Sequence, residues 1–261
     1  MAHPTELTDA GDEFFESPSG LRIYHRGPPL SQGPLPSLFY FALSGYESLF
    51  MDPFRQPADL LADTQVRVFS FTLPYHGEGL DPHKAVGHWM HELLQGNDII
   101  RPFLQQLVAC IQFLIDKKLA APDQMAAAGI SRGAFIAAHL ASMHAGIRWL
   151  LGFAPMTSFI LDGKHQELQE NALINSLGVM YLSEQLAGKT IRFYVGNRDV
   201  RIGTEQCFAF MQDLVEKTYQ KGIRSPPVDL IISPSVGYKG HGTTPPIFQD
   251  GIKWLKSCML K

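Results

Sequence analysis

The sequence contains little cysteine. Its three cysteines, Cys110, Cys207 and Cys258, are spread over 261 positions, and none belongs to a CxxC pair. This count and this spacing argue against a disulfide framework and against a zinc site built from cysteines. Isolated cysteines of this kind are typical of proteins in a reducing compartment, so we expect a cytoplasmic location.

Long apolar runs and an excess of positive charge are also lacking. No apolar run approaches the roughly 18 residues that a membrane span needs. Residues 1–20 lack the cationic and apolar regions of a secretory signal. The 22 Lys and Arg residues are scattered and are outnumbered by 25 Asp and Glu residues, which gives a formal net charge of −3. We therefore expect no membrane span and no nucleic-acid partner.

The chain does contain a regular alternation of strand and helix patterns. Apolar residues make up 45% of it, enough for a sizeable core. Continuous apolar runs predict buried strands, and apolar residues at helical spacing predict helices. The predicted strands cover 21–24, 37–43, 66–71, 125–130, 149–154, 191–195 and 228–232, and the predicted helices cover 98–118, 133–145, 205–221 and 246–255. This order predicts an α/β fold, with a mostly parallel sheet and helices on both faces.

No linker or repeat divides the chain, so we expect one domain over residues 19–261. Residues 1–18 are polar and acidic, and we expect them to form a tail or an edge hairpin. Two stretches, 74–97 and 156–189, do not fit the alternation. Excursions beyond the strand ends commonly build lids and substrate pockets, and we expect a small lid at about 156–189.

A GxSxG motif stands between a predicted strand and a predicted helix. It consists of Gly129, Ser131 and Gly133, with an apolar run before it and an Ala-rich helical pattern after it. Glycines on both sides allow a sharp turn that exposes a serine hydroxyl for nucleophilic attack. The competing interpretation is a glycine-rich turn with an incidental serine. The flanking patterns favour the nucleophile.

A serine hydroxyl needs a base, and the base needs an orienting carboxylate. His241 is the expected base, because it lies between the last predicted strand and the last predicted helix. Asp199, just after a predicted strand, is the expected acid. Asp162 also follows a strand and is its main rival, whereas Asp229 falls within a strand and Asp250 on a helix.

Attack by a serine also requires N–H donors for the negatively charged oxygen that forms. We expect one donor to be the backbone N–H of Arg132, which follows the serine at the start of a helix. The second is expected in the loop after the strand 37–43, where Gly45 permits a tight turn. We assign this second donor to the backbone N–H of Tyr46.

A metal centre and a phosphate loop are less well supported. His88, His91 and Glu92 fall on one face of a helix, but their spacing is not that of an HExxH motif. A solvated or pocket-facing helix is the favoured interpretation of these residues. The glycine patterns of phosphate-binding loops are missing from the sequence.

Two arginines and one histidine near the motifs have more than one interpretation. Arg132 and Arg201 are suited either to contact an anionic substrate or to form ion pairs that hold the acid loop, and we favour the ion pairs. His76, in the segment YHGEG, is interpreted as a loop-packing histidine rather than as a second base.

The order of Ser131, Asp199 and His241 on an alternating α/β pattern resembles the α/β-hydrolase superfamily over residues 20–258. The segment GNRDVRIGTEQC resembles the acid loop of the prolyl-oligopeptidase and dienelactone-hydrolase-like esterase branches. FTLPYHGEG resembles the loop after the fourth strand of many members. The resemblance implies an eight-stranded sheet whose second strand is antiparallel, and no cofactor.

The same resemblance bears on the oxyanion donor. Ser44-Gly45-Tyr46 stands where the superfamily has His-Gly-x, which again implies the Tyr46 N–H as a donor. Two residues depart from the pattern: Ser44 replaces the histidine of that pair, and Ala134 replaces the glycine commonly found after GxSxG. Neither departure removes a catalytic group.

These features together predict a serine hydrolase that cleaves carboxylic esters of small acyl substrates through a Ser-His-Asp triad and an acyl-enzyme. A peptidase or thioesterase with the same triad is one alternative. A hydrolase-fold protein that binds without catalysis is another. The large peptidases of the superfamily carry an extra propeller domain, for which 261 residues leave no room. A homodimer is among the assemblies that the sequence allows.

Overall fold

The protein is built around one eight-stranded sheet with helices on both sides, which confirms the expected fold class. The computed structural model describes residues 13–159, 168 and 170–260. The strands lie side by side in the order β1-β2-β4-β3-β5-β6-β7-β8. Their bounds are β1 Phe14–Glu16, β2 Arg22–Arg26, β3 Leu35–Phe41, β4 Arg67–Ser70, β5 Ala120–Ile130, β6 Ile147–Phe153, β7 Thr190–Gly196 and β8 Val228–Ser233.

One strand of the sheet, β2, runs against all the others. Strands β1 and β2 form an antiparallel hairpin at one edge of the sheet, and β2 also pairs antiparallel with β4. All pairs from β4 to β8 are parallel. The implied antiparallel second strand is therefore confirmed. Because the remaining strands run in one direction, their carboxyl ends meet at the same edge of the sheet.

The helices cover the two faces of the sheet. They are α1 Gly45–Phe50, α2 Gln56–Asp59, α3 Ala85–Leu94, α4 Ile100–Asp116, α5 Arg132–Met143, α6 Ala172–Ser176, α7 Ser183–Leu186, α8 Thr204–Gln220 and α9 Pro245–Met259. Side chains alternate along each strand, so every strand serves both faces. In β3, Phe39 packs on the side of α3, α4, α5 and α8, whereas Tyr40 packs on the side of α1, α2 and α9.

Strand β5 begins five residues before the predicted start at Met125. The added residues after Ala120 include Asp123, are mostly exposed and carry no apolar run, so hydrophobicity does not reveal them. They extend the strand through backbone pairing of Ala120 with Leu35, with a register shift before the next pair. Backbone hydrogen bonding at a strand end therefore continues beyond the buried segment that the pattern detects.

The described part of the expected lid packs against helix α5. It contains α6, a 3-10 turn at Val179–Leu182 and α7. His139 of α5 hydrogen-bonds through Nε2 to the carbonyl of Leu177, at 2.9 Å. Asp162, the rival acid, lies outside the described residues. In the ranges that the structure describes, no helix is both long enough and apolar enough to cross a membrane.

Two buried histidines link the stability of this fold to pH. Burial lowers the pKa of His76 and of His139 to about 4, below the ~6.5 of an unfolded chain. The unfolded chain therefore binds more protons between pH 6.5 and pH 4, so stability is complete above this window and falls as the pH falls through it. For each histidine, the unfolding free energy should therefore fall by about 2 kcal/mol when the pH is lowered from 7 to 5.

Urea unfolding of His139→Gln at pH 7 and pH 5 tests this linkage. The amide retains a donor for the carbonyl of residue 177 but binds no proton, so the loss of stability on acidification should shrink by about 2 kcal/mol. His91→Gln, at an exposed position of α3, is the matched control and should behave like the wild type. An equal pH dependence in all three proteins would contradict the prediction.

Candidate active site

Ser131 sits in a sharp turn that joins β5 to α5. Its backbone has φ 54° and ψ −116°, a conformation that residues with a side chain rarely adopt. Two glycines make the turn feasible by letting backbones touch. A Cβ at Gly129 would overlap the backbone of Gly133, and a Cβ at Gly133 would overlap the carbonyl of Phe41. The Ser131 N–H donates to the carbonyl of Phe153 in β6, at 2.8 Å.

The structure brings the three expected side chains into one hydrogen-bonded chain. His241 Nε2 lies 2.9 Å from Ser131 Oγ, and His241 Nδ1 lies 2.8 Å from Asp199 Oδ2. The Asp199 side chain is fully buried, and 9% of the His241 side chain is exposed. Because a carboxylate accepts, Nδ1 carries the ring proton that it donates to Asp199. Nε2 is then free to accept the Ser131 proton.

Asp199 is held in place by the loop that follows β7. Its Oδ1 accepts the N–H groups of Arg201 at 3.0 Å and Ile202 at 3.2 Å, and its own N–H donates to Thr204 Oγ1. This use of one carboxylate oxygen leaves Oδ2 for His241. Among the described residues, Asp199 is the carboxylate that contacts this histidine.

The other two aspartates near the histidine in sequence serve different partners. Asp229 accepts from Arg192 at 2.7 Å, and Asp250 accepts from the Tyr194 hydroxyl at 2.6 Å. Their expected poor placement follows from their elements, since Asp229 lies in the edge strand β8 and Asp250 lies in α9.

The histidine loop is fastened to the acid loop through the backbone. His241 follows a 3-10 turn at Tyr238–Gly240. The Val200 N–H donates to the carbonyl of Lys239 at 3.1 Å. Gly240 has φ 77°, and a Cβ there would overlap the carbonyl of Arg198. The base and the acid therefore sit on two loops in direct contact, which preserves the distance between their side chains.

A cavity of about 450 Å³ opens at Ser131 and His241. Arg132 and Arg201 line it, and the wall also includes Leu43 just after β3, Pro53 and Phe54 before α2, and Pro82 and His83 before α3. No described residue of the expected lid segment 156–189 contributes to this wall. The contribution from 74–97 was anticipated, but those of Pro53 and Phe54 were not.

The two residues expected to donate N–H groups to the oxyanion line different cavities. Arg132 is the first residue of α5, where helix geometry leaves the N–H without an intrahelical acceptor, and it lines the cavity. Tyr46 instead lines a neighbouring cavity of about 680 Å³, and its place in the wall at Ser131 is taken by Leu43. The Leu43 N–H makes a long bond of 3.3 Å to Ser48 Oγ.

The Arg132 side chain forms a buried contact that the sequence did not reveal. Its Nη1 lies 3.0 Å from His76 Nε2 and donates to the Pro82 carbonyl at 2.6 Å. His76 Nδ1 lies 2.8 Å from the Pro74 carbonyl, so Nδ1 carries the proton and Nε2 accepts from Arg132. Burial, with a smaller contribution from Arg132, lowers the pKa of His76 to about 4 and keeps it neutral. His76 thus packs a loop, as expected.

Neither arginine near the serine makes the ion pair that we favoured. Within the described part of the chain, no carboxylate lies within 4.0 Å of the Arg132 or Arg201 guanidinium. The acid loop is instead held by backbone N–H groups and by Thr204. The ion-pair interpretation is therefore wrong.

The helix that carries His88, His91 and Glu92 shows no metal site. The His88 ring stacks on Tyr75, and Glu92 accepts from the Tyr75 hydroxyl at 2.8 Å. Among the residues whose positions are described, no group of three or more His, Cys, Asp or Glu side chains could hold a metal ion.

Comparison with known proteins shows the fold. No family model matches the chain, and no curated protein matches its sequence. TT1662 from Thermus thermophilus is 17% identical, with 95% of this chain and 98% of that protein aligned at a TM-score of 0.68. An esterase from Pyrococcus furiosus is 14% identical, with 95% and 90% aligned at a TM-score of 0.61.

A longer protein contains the same fold as one part. Dipeptidyl peptidase 4 from Porphyromonas gingivalis is 15% identical and has a TM-score of 0.68, with 94% of this chain but only 35% of the peptidase aligned. These likenesses and the strand order confirm the expected α/β-hydrolase fold. At such low identities, these likenesses show the fold alone, and the chemistry is inferred from the residues of the site.

The positive φ of Ser131 predicts an unusual order of stability for two variants. Strain of this kind costs on the order of 1–3 kcal/mol, and glycine relieves it. Ser131→Gly should therefore unfold in urea with a free energy about 1 kcal/mol or more above that of Ser131→Ala. Ser142, within α5, provides the control, because glycine there should be about 1 kcal/mol less stable than alanine. Equal stability of the two Ser131 variants would refute the strain.

Proposed function

We propose that the protein is a serine hydrolase that cleaves carboxylic esters of small acyl substrates. The observation that carries this proposal is the unbroken hydrogen-bond chain from Ser131 Oγ through His241 to Asp199 Oδ2. A hydroxyl, an imidazole and a buried carboxylate in this order are the parts that activate a serine for acyl transfer. The strained turn at Ser131 supports the same role, because backbone strain concentrates at functional positions.

The reaction begins with proton transfer and attack. Ser131 Oγ forms a bond to the ester carbonyl carbon while its proton moves to His241 Nε2. The carbonyl π electrons move to the oxygen, which becomes negatively charged. Asp199 stays ionised, keeps the Nδ1 proton in its hydrogen bond and stabilises the imidazolium.

Two N–H groups are proposed to bind the negatively charged oxygen. The first is the Arg132 N–H at the start of α5, where the helix dipole adds a partial positive charge. We assign the second donor to the backbone N–H of Leu43 rather than to that of Tyr46, because Leu43 lines the cavity at Ser131. This assignment requires the Leu43 N–H to exchange its 3.3 Å bond to Ser48 for one to the substrate oxygen.

The intermediate then breaks down in two stages. The imidazolium of His241 donates its Nε2 proton to the ester oxygen, the carbon–oxygen bond breaks, and an alcohol leaves an acyl group on Ser131. A water molecule next gives a proton to His241 and attacks the acyl carbon. The second intermediate releases a carboxylic acid, and the proton returns to Ser131 Oγ.

Cavity size supports a small substrate. About 450 Å³ lies near the lower end of the 300–1,000 Å³ that small-molecule sites occupy. A thioester would fit the same chemistry, and an amide bond would make the protein a peptidase. Parallel assays with nitrophenyl esters, acyl thioesters and aminoacyl nitroanilides rank these alternatives by kcat/KM, and we expect the esters to be cleaved fastest.

Location and assembly remain predictions. Cys110, Cys207 and Cys258 are free thiols, which fits the predicted reducing, cytoplasmic compartment. Light scattering of the purified protein tests whether it forms the homodimer that the sequence allows.

Substitution of the nucleophile is the direct test of the proposal. Ser131→Ala should lower the turnover of 4-nitrophenyl butyrate by about 1,000-fold or more, because no hydroxyl remains to form the acyl-enzyme. A fluorophosphonate probe should label the wild type at Ser131 and fail to label the variant. Ser257→Ala, at an exposed serine of α9, is the control and should retain both activities. A wild type that neither turns over esters nor takes up the probe would support the binding-protein alternative.

The acid is tested by an isosteric change. Asp199→Asn cannot accept the Nδ1–H of His241 as a carboxylate does, so the wrong ring tautomer is stabilised and kcat should fall by about 1,000-fold or more. Asp229→Asn removes an equal charge from the exposed partner of Arg192 and should leave kcat unchanged. An Asp199→Asn variant with wild-type kcat would show that Asp199 has no role in the mechanism.

A further inference from the structure

The cavity at Ser131 has two positively charged side chains in its wall and no carboxylate paired with either of them. Arg132 and Arg201 both line this cavity. Their charges are close enough to influence each other, since Arg201 contributes to lowering the pKa of Arg132. The charge arrangement is unusual, because buried cations in proteins are normally paired with anions.

The Arg132 guanidinium is held in place through one of its three nitrogen atoms, Nη1. The residue is 7% exposed. Its Nη1 binds two neutral acceptors, the His76 ring and the Pro82 carbonyl. In the part of the chain that the structure describes, Nε and Nη2 have no hydrogen-bond acceptor, and they are not among the fully buried unpaired atoms. These N–H groups therefore keep some contact with solvent. Arg132 and Pro82 both line the cavity at Ser131, whereas His76 lines the neighbouring cavity of about 680 Å³.

Arg201 completes the positive surface from the acid loop. Its backbone N–H binds Asp199, but its side chain makes no hydrogen bond or ion pair with any described residue. The residue is half-buried and lines the cavity. Backbone anchoring with an unpaired side chain fits a residue positioned for a ligand rather than for the fold.

The nearby acidic groups are already committed to other partners. Glu47 also lines the cavity, but its Oε2 accepts from the N–H and the hydroxyl of Ser44 and so caps α1. Asp199 binds His241 with one oxygen and two backbone N–H groups with the other. Neither carboxylate forms an ion pair with the Arg132 or the Arg201 guanidinium.

We propose that the substrates of this site carry an oxyanion group, a carboxylate or a phosphate, which Arg132 and Arg201 bind beside Ser131. Guanidinium groups match both oxyanions, because their N–H groups form parallel charge-assisted bonds to two oxygens. The inference rests on the proposed hydrolase function and deepens it by naming the substrate class. It also explains the missing counter-ion, since the substrate supplies it.

Burial supports a role in binding rather than in general solubility. Desolvation lowers the pKa of Arg132 to about 10, with a smaller contribution from Arg201, so the side chain stays charged at neutral pH. Placing such a cation at a cavity wall without an anion is unfavourable. A bound oxyanion offsets that cost, and the partly desolvated site strengthens the attraction.

Paired substrates test the proposal. Three anionic esters place the charge differently: 4-nitrophenyl hydrogen glutarate on the acyl side, 4-acetoxybenzoate on the alcohol side and 4-acetoxyphenyl phosphate as the phosphate case. Their neutral partners are 4-nitrophenyl valerate, methyl 4-acetoxybenzoate and phenyl acetate. At least one anionic ester should exceed its partner in kcat/KM by about 10- to 100-fold, the range of a charged hydrogen bond. Ratios near or below one in all three pairs would overturn the inference.

Charge-removing variants identify the binding groups. Arg201→Gln should bring the anionic-to-neutral ratio of kcat/KM close to one, and Arg132→Lys should lower it because an ammonium lacks the planar fork. Arg198→Gln is the matched control, since it removes the same charge three residues away from an exposed side chain outside the cavity wall. A ratio that survives both Arg201→Gln and Arg132→Lys, or falls equally in Arg198→Gln, would overturn the assignment.

A binding measurement separates this inference from the hydrolase proposal. Glutarate contains no ester, so its affinity does not depend on turnover. Calorimetry should detect glutarate or inorganic phosphate binding to the wild type, weakened about 10-fold or more in Arg201→Gln and retained in Arg198→Gln. Such binding without probe labelling of Ser131 would contradict the hydrolase proposal and support the anion-site proposal. Labelling of Ser131 together with no binding of either anion, and no preference for anionic esters, would sink the anion site alone.

Discussion

The close approach of helix α5 to the sheet is the constraint on which the site depends. Gly133 lies against the Phe41 carbonyl of β3, and Gly129 lies against the first turn of the helix, so neither position has room for a side chain. Because the helix must start within this contact, the chain turns within one residue, and that residue is Ser131 with its positive φ. A serine one turn later would lie inside α5, where most side chains are buried.

The parallel strands then bring the other two groups to the same edge. Asp199 follows the end of β7, and His241 lies beyond β8, its neighbour in the sheet. Sheet pairing fixes the positions of the strands, and contacts between the loops fix the final distance between the two side chains. The Arg198 N–H donates to Ser235 Oγ at 2.7 Å, and the two loops share further backbone bonds. Asp199 and His241, 42 positions apart in the sequence, thus meet through hydrogen bonds between their loops.

Sequence patterns predicted what depends on periodicity and on chain order. Buried strands, long amphipathic helices and the serine, acid and base positions follow from these signals. The segment after β3 is predicted as a loop, but in the structure it begins helix α1. Ser44 and Glu47 form a capping box, the S-x-x-E signal of a helix start, which makes Tyr46 a helical residue. The cavity wall at Pro53 and Phe54 escaped prediction because loop packing has no repeat to detect.

The two proposals together imply that Arg132 and Arg201 affect the chemistry as well as the binding of an anion. In the proposed mechanism, proton transfer from Ser131 turns His241 into an imidazolium, a third positive charge near Arg132 and Arg201. Asp199, fully buried and bonded to that ring, is the carboxylate that pairs with it. A substrate oxyanion bound by the arginines would add negative charge beside the ring, so under these proposals charge separation at the serine costs less when the substrate is anionic. Because this repulsion arises only as the ring becomes charged, part of the preference for anionic esters belongs in kcat rather than in KM.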